Sequence, residues 1–284
     1  MAEARERVSY VVTGGAQGVG RAIAERLSAE ARVVVIDRHD GAEAAPEVRV
    51  PGALVPGARV PEARVPPAPA VARPGPVFVI GDAGDPAVAA RAATLAEELA
   101  PLRGWVNNAA TLETAGIADD TAARILELVT ANLRLAVTGT HTAVTHLLAH
   151  GRGGSIVNVS SHQAQRPVRG ALPYATAKAA VEGMTRAAAV DHGPDGIRVN
   201  AVALGSVRTD RYDEYRLAHP DADAQMAQLH PLGRVGEAAE VAEVVAFLLS
   251  PASSFVSGAV LPVDGGRAAN GPDPEARTAR AASR

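Results

Sequence analysis

The stretch that decides the fold is Ser9-Tyr-Val-Val-Thr-Gly-Gly-Ala-Gln-Gly-Val-Gly20, which runs on into Arg21-Ala-Ile-Ala-Glu-Arg-Leu27. A short β-branched run enters a glycine-rich turn, and Val19, Ile23 and Leu27 then recur at helical spacing. Glycines let a backbone approach a pyrophosphate closely, and the N-terminus of the following helix offers it free N–H groups. The strict Gly-x-Gly-x-x-Gly spacing is not met, so an ordinary tight turn is the alternative. The position between the first strand and the first helix favours a nucleotide-binding turn.

Short apolar runs and longer helical stretches alternate along the rest of the chain. This alternation predicts an α/β fold with one parallel sheet covered by helices on both faces. The predicted strands are Ser9 to Val12, Val33 to Ile36, Val77 to Ile80, Gly104 to Val106, Ser155 to Val159, Ile197 to Ala201 and Ala259 to Leu261. The predicted helices are Val19 to Ala29, Pro86 to Ala100, Ala122 to Ala149, Ala175 to Asp191 and Ala238 to Leu249.

Two segments depart from this alternation. Residues 41–76 hold nine of the 20 prolines and repeat a five-residue Val-Pro unit, which excludes helix and central strand. We interpret this segment as an insertion that forms a surface loop, with a partner-docking segment as the alternative. Residues 267–284 show no apolar periodicity and are expected to form a disordered tail. The predicted domain therefore spans residues 7–266.

The composition narrows the classes of function. Hydrophobic residues make up 47% of the 284 residues, as is usual for a globular chain. The net charge of -3 offers no basic footprint, so nucleic acid is not an expected partner. Cysteine is absent and the eight histidines lack ligand spacing, so no metal is expected; His146 and His150 are read as an ordinary helix face. No apolar run is long enough for a membrane span and no secretory signal is visible, which predicts a cytoplasmic protein.

Asp37 ends the second predicted strand, seventeen residues after Gly20. A carboxylate at this place can accept hydrogen bonds from the ribose hydroxyls of adenosine and would repel a 2′-phosphate. Arg38 could pair with such a phosphate, but Ala16 and Gln17 add no second positive charge in the turn. The sequence therefore favours NAD over NADP, with a solvated strand-end carboxylate as the alternative.

Tyr174-Ala-Thr-Ala-Lys178 opens a predicted helix, so the tyrosine and the lysine project from one face. An adjacent ammonium lowers the pKa of a phenol, which is otherwise too high for a base at neutral pH. Ser161 lies thirteen residues upstream at a strand end, where its hydroxyl could hold a substrate oxygen. Alone, such a pair is usually surface decoration; together with the glycine turn it indicates a catalytic site.

With these motifs in order, the chain closely resembles the classical short-chain dehydrogenase/reductase family over roughly Val8 to Gly266. The resemblance implies a single-domain, doubly wound Rossmann fold, a nicotinamide-dependent oxidoreductase and a homotetramer or homodimer. The matching motifs are the Thr-Gly-x-x-x-Gly-x-Gly turn from Thr13, Asp82, Asn107-Asn-Ala, Asn132, Ser161, Tyr174-x-x-x-Lys178 and Arg198-Val-Asn-Ala201.

By this resemblance Tyr174 is the general acid/base, Lys178 lowers its pKa and holds the nicotinamide ribose, and Ser161 polarises the substrate carbonyl. Asn132 completes a proton relay. The residues expected to bind the cofactor are Gly14, Gln17, Gly18, Val19, Gly20, Asp37, Asp82, Asn108 and Thr209, together with Tyr174 and Lys178.

The polar stretch after Thr209 is expected to form a lid over a hydroxylated or anionic substrate. Arg208, Arg211 or Tyr212 are possible contacts, as are His162 and Gln163 beside Ser161; a solvated helix face is the alternative for each. The predicted reaction is hydride transfer between NAD and a secondary alcohol or ketone. The rivals are an NADPH-dependent biosynthetic ketoreductase and a non-catalytic NAD-binding sensor or scaffold.

Overall fold

The computed structural model describes residues 8–40 and 75–271. All but two residues of the predicted insertion, and the greater part of the predicted tail, lie outside the described residues. The strands are β1 (Ser9–Thr13), β2 (Arg32–Asp37), β3 (Val77–Ile80), β4 (Leu102–Asn107), β5 (Gly154–Ser161), β6 (Ile197–Leu204), β7 (Val207–Arg208), β8 (Gly236–Glu237) and β9 (Val260–Val263). The α-helices are α1 (Gly18–Ser28), α2 (Pro86–Leu99), α3 (Ala122–Ala149), α4 (Leu172–His192), α5 (Asp210–Ala218), α6 (Ala222–Leu229) and α7 (Ala238–Leu249).

Seven strands form one parallel sheet in the order β3-β2-β1-β4-β5-β6-β9, and β7 pairs with β8 separately. The predicted seven-stranded doubly wound sheet is thereby confirmed. The order reverses between β1 and β4, and in such sheets ligands bind beyond the carboxyl ends of the strands at this reversal. The turn after β1 and the segment after β4 therefore meet at the expected binding crevice.

Successive side chains of a strand point to opposite sides of the sheet, and helices cover both sides of the inner strands β1, β2, β4, β5 and β6, which are mostly buried. The edge strands β3 and β9 keep exposed residues. Val11 and Val34 belong to the apolar layer under α2 and α3, whereas Val12 and Val35 belong to the layer under α1 and α7. Trp105 is the largest side chain that the described core buries completely. Helix α2 packs closely on the sheet through small side chains, namely Ala89, Ala92, Ala93 and Ala96.

The structure adds elements that periodicity did not predict. Helices α5 and α6 lie in the stretch expected to be a lid, and α4 begins at Leu172 rather than at Ala175. Residues 267–271, assigned above to the tail, are described, and there Arg267 donates a 2.7 Å hydrogen bond to Ser206 Oγ. Among the helices that the structure describes, none combines the length and the apolar character needed to cross a membrane.

Candidate active site

A cleft of about 280 Å³ opens where the order of the strands reverses. It brings together most of the residues predicted to bind the cofactor, although they come from separate segments of the chain. Gly18 and Thr209 lie beside one another, since a Cβ on Gly18 would be 3.3 Å from the Thr209 methyl group. The predicted residues that line the cleft are Gly14, Gln17, Val19, Gly20, Asp37, Asp82 and Asn108.

The glycine turn is held in a form that side chains would not permit. Gly14 and Gly18 have φ values of 67° and 54°, in the left-handed region that favours glycine. A Cβ on Gly20 would lie 1.9 Å from the carbonyl oxygen of Gly14. Asn108 fastens this turn, because its amide donates hydrogen bonds to the carbonyls of Thr13 (3.1 Å) and Gly14 (2.8 Å). The exposed N-terminus of α1 and this open backbone fit a pyrophosphate.

Two carboxylates border the other end of the cleft. Asp37 accepts hydrogen bonds from the backbone of Ala16 (3.0 Å) and His39 (3.3 Å), which fixes the carboxylate at the end of β2. Asp82 pairs with Arg134 at 3.0 Å and with Arg38 at 3.4 Å. Burial acts to raise the pKa of Asp82, but the hydrogen bond from Gly84 and the two arginines together lower it. Arg38 is thus drawn toward Asp82.

Ser161, Tyr174 and Lys178 meet at the carboxyl end of β5. Ser161 Oγ accepts a 3.2 Å hydrogen bond from the backbone N–H of Gln163, and its hydroxyl lies close enough to that of Tyr174 to lower the pKa of the phenol. Lys178 is 6% exposed; its ammonium lies 5.5 Å from the centre of the Tyr174 ring and donates a 2.6 Å hydrogen bond to the Val159 carbonyl. The helix therefore presents both side chains to one strand end, as their spacing predicts.

The electrostatics of this group differ from the sequence-based expectation. Burial raises the pKa of Tyr174, while the hydrogen bond with Ser161 and the positive charge of Arg211 act to lower it. Burial also lowers the pKa of Lys178 to about 8. The groups that favour the phenolate are therefore Ser161 and Arg211, whereas the expectation named Lys178, whose ammonium faces a backbone carbonyl.

Asn132 lies inside α3 and is buried. Its side-chain oxygen accepts a 2.9 Å hydrogen bond from the backbone of Thr111, and its amide donates to Thr111 Oγ1 at 3.1 Å. These bonds tie α3 to the segment that follows β4, of which Thr111 lines the cleft. A role in proton relay stays a prediction.

A buried ladder of amides and hydroxyls lies behind the site and was not predicted as a unit. Asn107 accepts from Trp105 Nε1 (2.9 Å) and donates to Thr140 Oγ1 (3.0 Å) and Asn158 Oδ1 (2.8 Å). Asn158 donates in turn to Thr185 Oγ1 at 2.9 Å. An asparagine in the otherwise apolar Ile156-Val-Asn-Val159 run was the available sign. The ladder joins β4 and β5 to α3 and α4.

Three of the side chains proposed as substrate contacts have partners within the protein. Tyr212 donates a 2.8 Å hydrogen bond to Asp223, and burial together with this bond raises the pKa of Tyr212 to about 12. Arg208 lies 3.3 Å from Asp213. His162 is buried and bonded through Nδ1 to the Leu204 carbonyl at 3.1 Å, so it belongs to the wall of the site. Burial lowers the pKa of His162.

Glu97, His146 and His150 form a cluster whose ligand atoms lie within 4.8 Å of one another. Glu97 is already engaged, because Arg152 pairs with it at 2.7 Å and Leu102 N donates to it at 3.0 Å. The hydrogen bond from Arg152 is the main reason why the pKa of Glu97 falls to about 2. A cation here would have to displace the guanidinium, so the cluster is an ion-pair network on the surface.

With this geometry in place, comparisons with known proteins identify the family. The sequence profile of a family described as enoyl-(acyl carrier protein) reductase matches residues 41–268. Levodione reductase of Leifsonia aquatica is 33% identical over 268 residues, which is 91% of this chain and 93% of that protein. The chain belongs to the classical short-chain dehydrogenase/reductase family. It is therefore a nicotinamide-dependent oxidoreductase that acts on CH–OH or C=O groups of small molecules.

Two further relatives show the breadth of this similarity. A 2,5-dichloro-2,5-cyclohexadiene-1,4-diol dehydrogenase of Sphingobium indicum is 34% identical over 263 residues, covering 91% of this chain and 96% of its own. A crystal structure from Agrobacterium tumefaciens, assigned as a 2-deoxy-D-gluconate 3-dehydrogenase with bound NADP, has a TM-score of 0.74 and 27% identity. It covers 94% of this chain and 98% of its own.

Proposed function

We propose that the protein is an NAD-dependent dehydrogenase or carbonyl reductase of secondary alcohols and ketones, with Tyr174 as the general acid/base. The observation that carries the proposal is the convergence of Ser161, Tyr174 and Lys178 at the carboxyl end of β5. The glycine turn follows β1 at the same edge of this parallel sheet. The nicotinamide supplies the hydride acceptor or donor when it is bound. The side chains of the protein then hold the substrate oxygen and move its proton.

In the oxidation direction, Tyr174 takes the proton of the substrate hydroxyl, and in reduction it returns a proton to the carbonyl oxygen. Ser161 accepts a hydrogen bond from the backbone of Gln163, and its hydroxyl lies close enough to that of Tyr174 to lower the pKa of the phenol. A substrate oxygen between them is therefore held by both hydroxyls. Lys178 supplies a buried positive charge beside the phenol, and Asn132 orders the segment at Thr111.

The proposed preference for NAD is supported by the placement of Asp37. Its carboxylate is held at the end of β2 by two backbone N–H groups, where it lines the cleft and would repel a 2′-phosphate. Arg38 is directed to Asp82, which reduces its availability to such a phosphate. The similar crystal structure with bound NADP favours NADP instead.

The test of the reaction is Tyr174→Phe, which removes the hydroxyl and keeps the ring. We expect kcat/KM to fall by about 10²- to 10⁴-fold, while the dissociation constant of NADH, measured by fluorescence titration, changes little. Tyr10→Phe is the matched control, since Tyr10 lies in β1 near the amino edge of the sheet. Residual activity close to the unaltered protein would reject Tyr174 as the acid/base. Cofactor binding with no turnover on any alcohol or ketone would favour the sensor.

Asp37→Ala tests the choice of cofactor. We expect the ratio of kcat/KM with NAD to that with NADP to fall, because the repulsion of the 2′-phosphate is lost. An unchanged ratio, or an initial preference for NADPH, would support the NADPH-dependent ketoreductase.

We also propose a homo-oligomer. Leu126 and Val137 are 64% and 45% exposed, and with Leu148 they follow one face of α3 at intervals of eleven residues. An apolar face of this kind suits contact with a second copy. Light scattering coupled to size-exclusion chromatography should give a mass above that of one chain, and Val137→Glu should reduce it. A monomer at micromolar concentration would contradict the proposal.

A further inference from the structure

The arginines of the lid stretch have different partners. Arg208 pairs with Asp213 at 3.3 Å and Arg216 pairs with Asp223 at 2.8 Å. Arg211 lies between them and is exposed. In residues 8–40 and 75–271, Arg211 makes no hydrogen bond or ion pair with another side chain. Its guanidinium therefore keeps its full set of donors available.

The start of α5 determines where Arg211 lies. Thr209 is the N-cap of this helix and accepts a 3.3 Å hydrogen bond from the Tyr212 backbone. The Thr209 methyl group rests against Gly18, so the first turn of α5 begins directly at the glycine turn. Arg211 is the second residue of that turn. The chain reaches it from β6, whose last residue, Leu204, pairs with Ser161 at the end of β5. The positive charge of Arg211 also acts to lower the pKa of Tyr174. An unpaired cation thus lies at the start of α5, in the segment that leads from the strand paired with Ser161 to the glycine turn.

We propose that Arg211 binds an acidic group of the substrate, so that the preferred substrates are hydroxy acids and keto acids rather than neutral alcohols and ketones. A guanidinium offers two parallel N–H groups that match the two oxygens of a carboxylate. The carboxylate would lie at Arg211 while the reacting oxygen lies at Ser161 and Tyr174. This inference rests on the proposed function and specifies the substrate class of the same site.

The pyrophosphate of the cofactor is the other anion that Arg211 could reach, since α5 begins at the glycine turn. The pairing of Ser161 with Leu204, at the end of the strand that leads to α5, favours the substrate, because Ser161 belongs to the reacting end of the site. The two sources of negative charge predict different results, since loss of a substrate contact changes discrimination between acids and neutral compounds. Loss of a pyrophosphate contact changes the affinity for cofactor alone.

The experiment measures binding of acid and neutral compounds with the same carbon skeleton to the protein–NADH complex, followed by NADH fluorescence. The pairs are D-gluconate with D-glucitol and 3-hydroxybutyrate with its methyl ester; as alcohols they cannot be reduced by NADH, so the fluorescence reports binding. At least one acid should bind about tenfold more tightly than its neutral partner, the gain expected of a charge-assisted hydrogen bond. Arg211→Met should abolish this preference, and Arg211→Lys should keep part of it.

Arg32→Met is the matched control. Arg32 begins β2 at the amino ends of the strands, on the side of the sheet away from the carboxyl ends that form the site, and its loss removes the same charge. The preference for acids should persist in this control. Absence of any acid preference, or its survival in Arg211→Met, overturns the proposal. So does a weaker affinity for NADH in Arg211→Met with an unchanged ratio of acid to neutral binding, which would assign Arg211 to the pyrophosphate. Tyr174-dependent turnover of neutral alcohols alone would leave the proposed function standing and remove the role of Arg211.

Discussion

The ammonium of Lys178 donates a 2.6 Å hydrogen bond to the carbonyl of Val159, two residues before Ser161. The lysine is thus anchored to the strand that also ends in the serine, and helix α4 cannot move along β5 without breaking this bond. The ammonium is buried, and burial lowers its pKa from 10.5 to about 8. Keeping the positive charge inside the fold consequently costs stability at neutral pH.

This burial predicts how stability depends on pH. Between about pH 8 and 10.5 the unfolded chain holds the lysine proton more strongly than the folded protein, so folding becomes more favourable as pH rises. Urea unfolding of the unaltered protein and of Lys178→Met should show this at roughly pH 7.5 and pH 10. The unaltered protein should gain about 2 kcal/mol relative to the variant over this interval. Parallel profiles would show that Lys178 is not shifted.

Gly139 provides a test of the buried ladder. A Cβ at this position would lie 1.9 Å from Asn107 Oδ1 and 2.6 Å from Trp105 Nε1. Gly139→Ala should therefore lower the free energy of unfolding by about 2 kcal/mol or more. Gly183→Ala is the control, because Gly183 also lies inside a helix but a Cβ there meets nothing within 4 Å. That change should be neutral or stabilise by up to about 1 kcal/mol. Equal effects of the two changes would contradict the close packing of Asn107 and Trp105 against Gly139.

Glu97 predicts a loss of stability in acid. Its pKa is lowered from 4.5 to about 2, chiefly by the hydrogen bond with Arg152. The stabilisation is therefore complete above the ordinary pKa and is lost as pH falls toward the lowered one. The cost of Glu97→Gln in urea unfolding should fall by about 2 kcal/mol between neutral pH and roughly pH 3.

Glu25→Gln is the control for Glu97, since the Arg21–Glu25 pair is exposed on both sides. Exposed pairs of this kind contribute at most about 0.5 kcal/mol at any pH. A cost of Glu97→Gln that does not vary with pH would reject the ion pair as its cause.

The hydrogen bond between Tyr212 and Asp223 joins α5 to α6. Tyr212→Phe should speed amide hydrogen exchange in α5 by about fivefold, the effect of losing about 1 kcal/mol of local stability. Tyr215→Phe in the same helix is the control, because Tyr215 is partly exposed and stacks on His219 with its ring. The global Tm should change little in both variants. Equal exchange rates in α5 of the two variants would show that this bond does not stabilise α5.

Local sequence patterns predicted the sheet well and the helices α5 and α6 poorly. All seven strands of the sheet were predicted because each is a short, mostly apolar run, and β3, α3 and α7 have the predicted bounds. Helix α5, Asp-Arg-Tyr-Asp-Glu-Tyr-Arg-Leu-Ala, carries almost no apolar stripe. Its order comes from the Thr209 cap and from ion pairs such as Arg216 with Asp213. Such pairings depend on tertiary placement and leave no periodic signal.

The candidate site was likewise predicted in part. The spacing of Tyr174 and Lys178 along one helix predicted that they lie together. The place of the glycine turn after β1 predicted that it borders the cleft. The direction of the pKa shift of Tyr174 was wrong, because burial depends on elements far apart in the sequence. The distinction between Arg211 and its paired neighbours likewise required the positions of Asp213 and Asp223. A single sequence names charged residues but does not tell which of them remain unpaired.

Asn107 and Asn158 face one another because the parallel register pairs these two residues of β4 and β5. A slip of one residue would turn an amide to the opposite face of the sheet and leave its partner without a hydrogen bond inside the core. The two amides thus specify the register in which β4 pairs with β5. If the chain is divided between β4 and α3, we expect the two fragments to reassemble with β4 and β5 in the native register only. Apolar strand residues without the two amides would tolerate neighbouring registers as well.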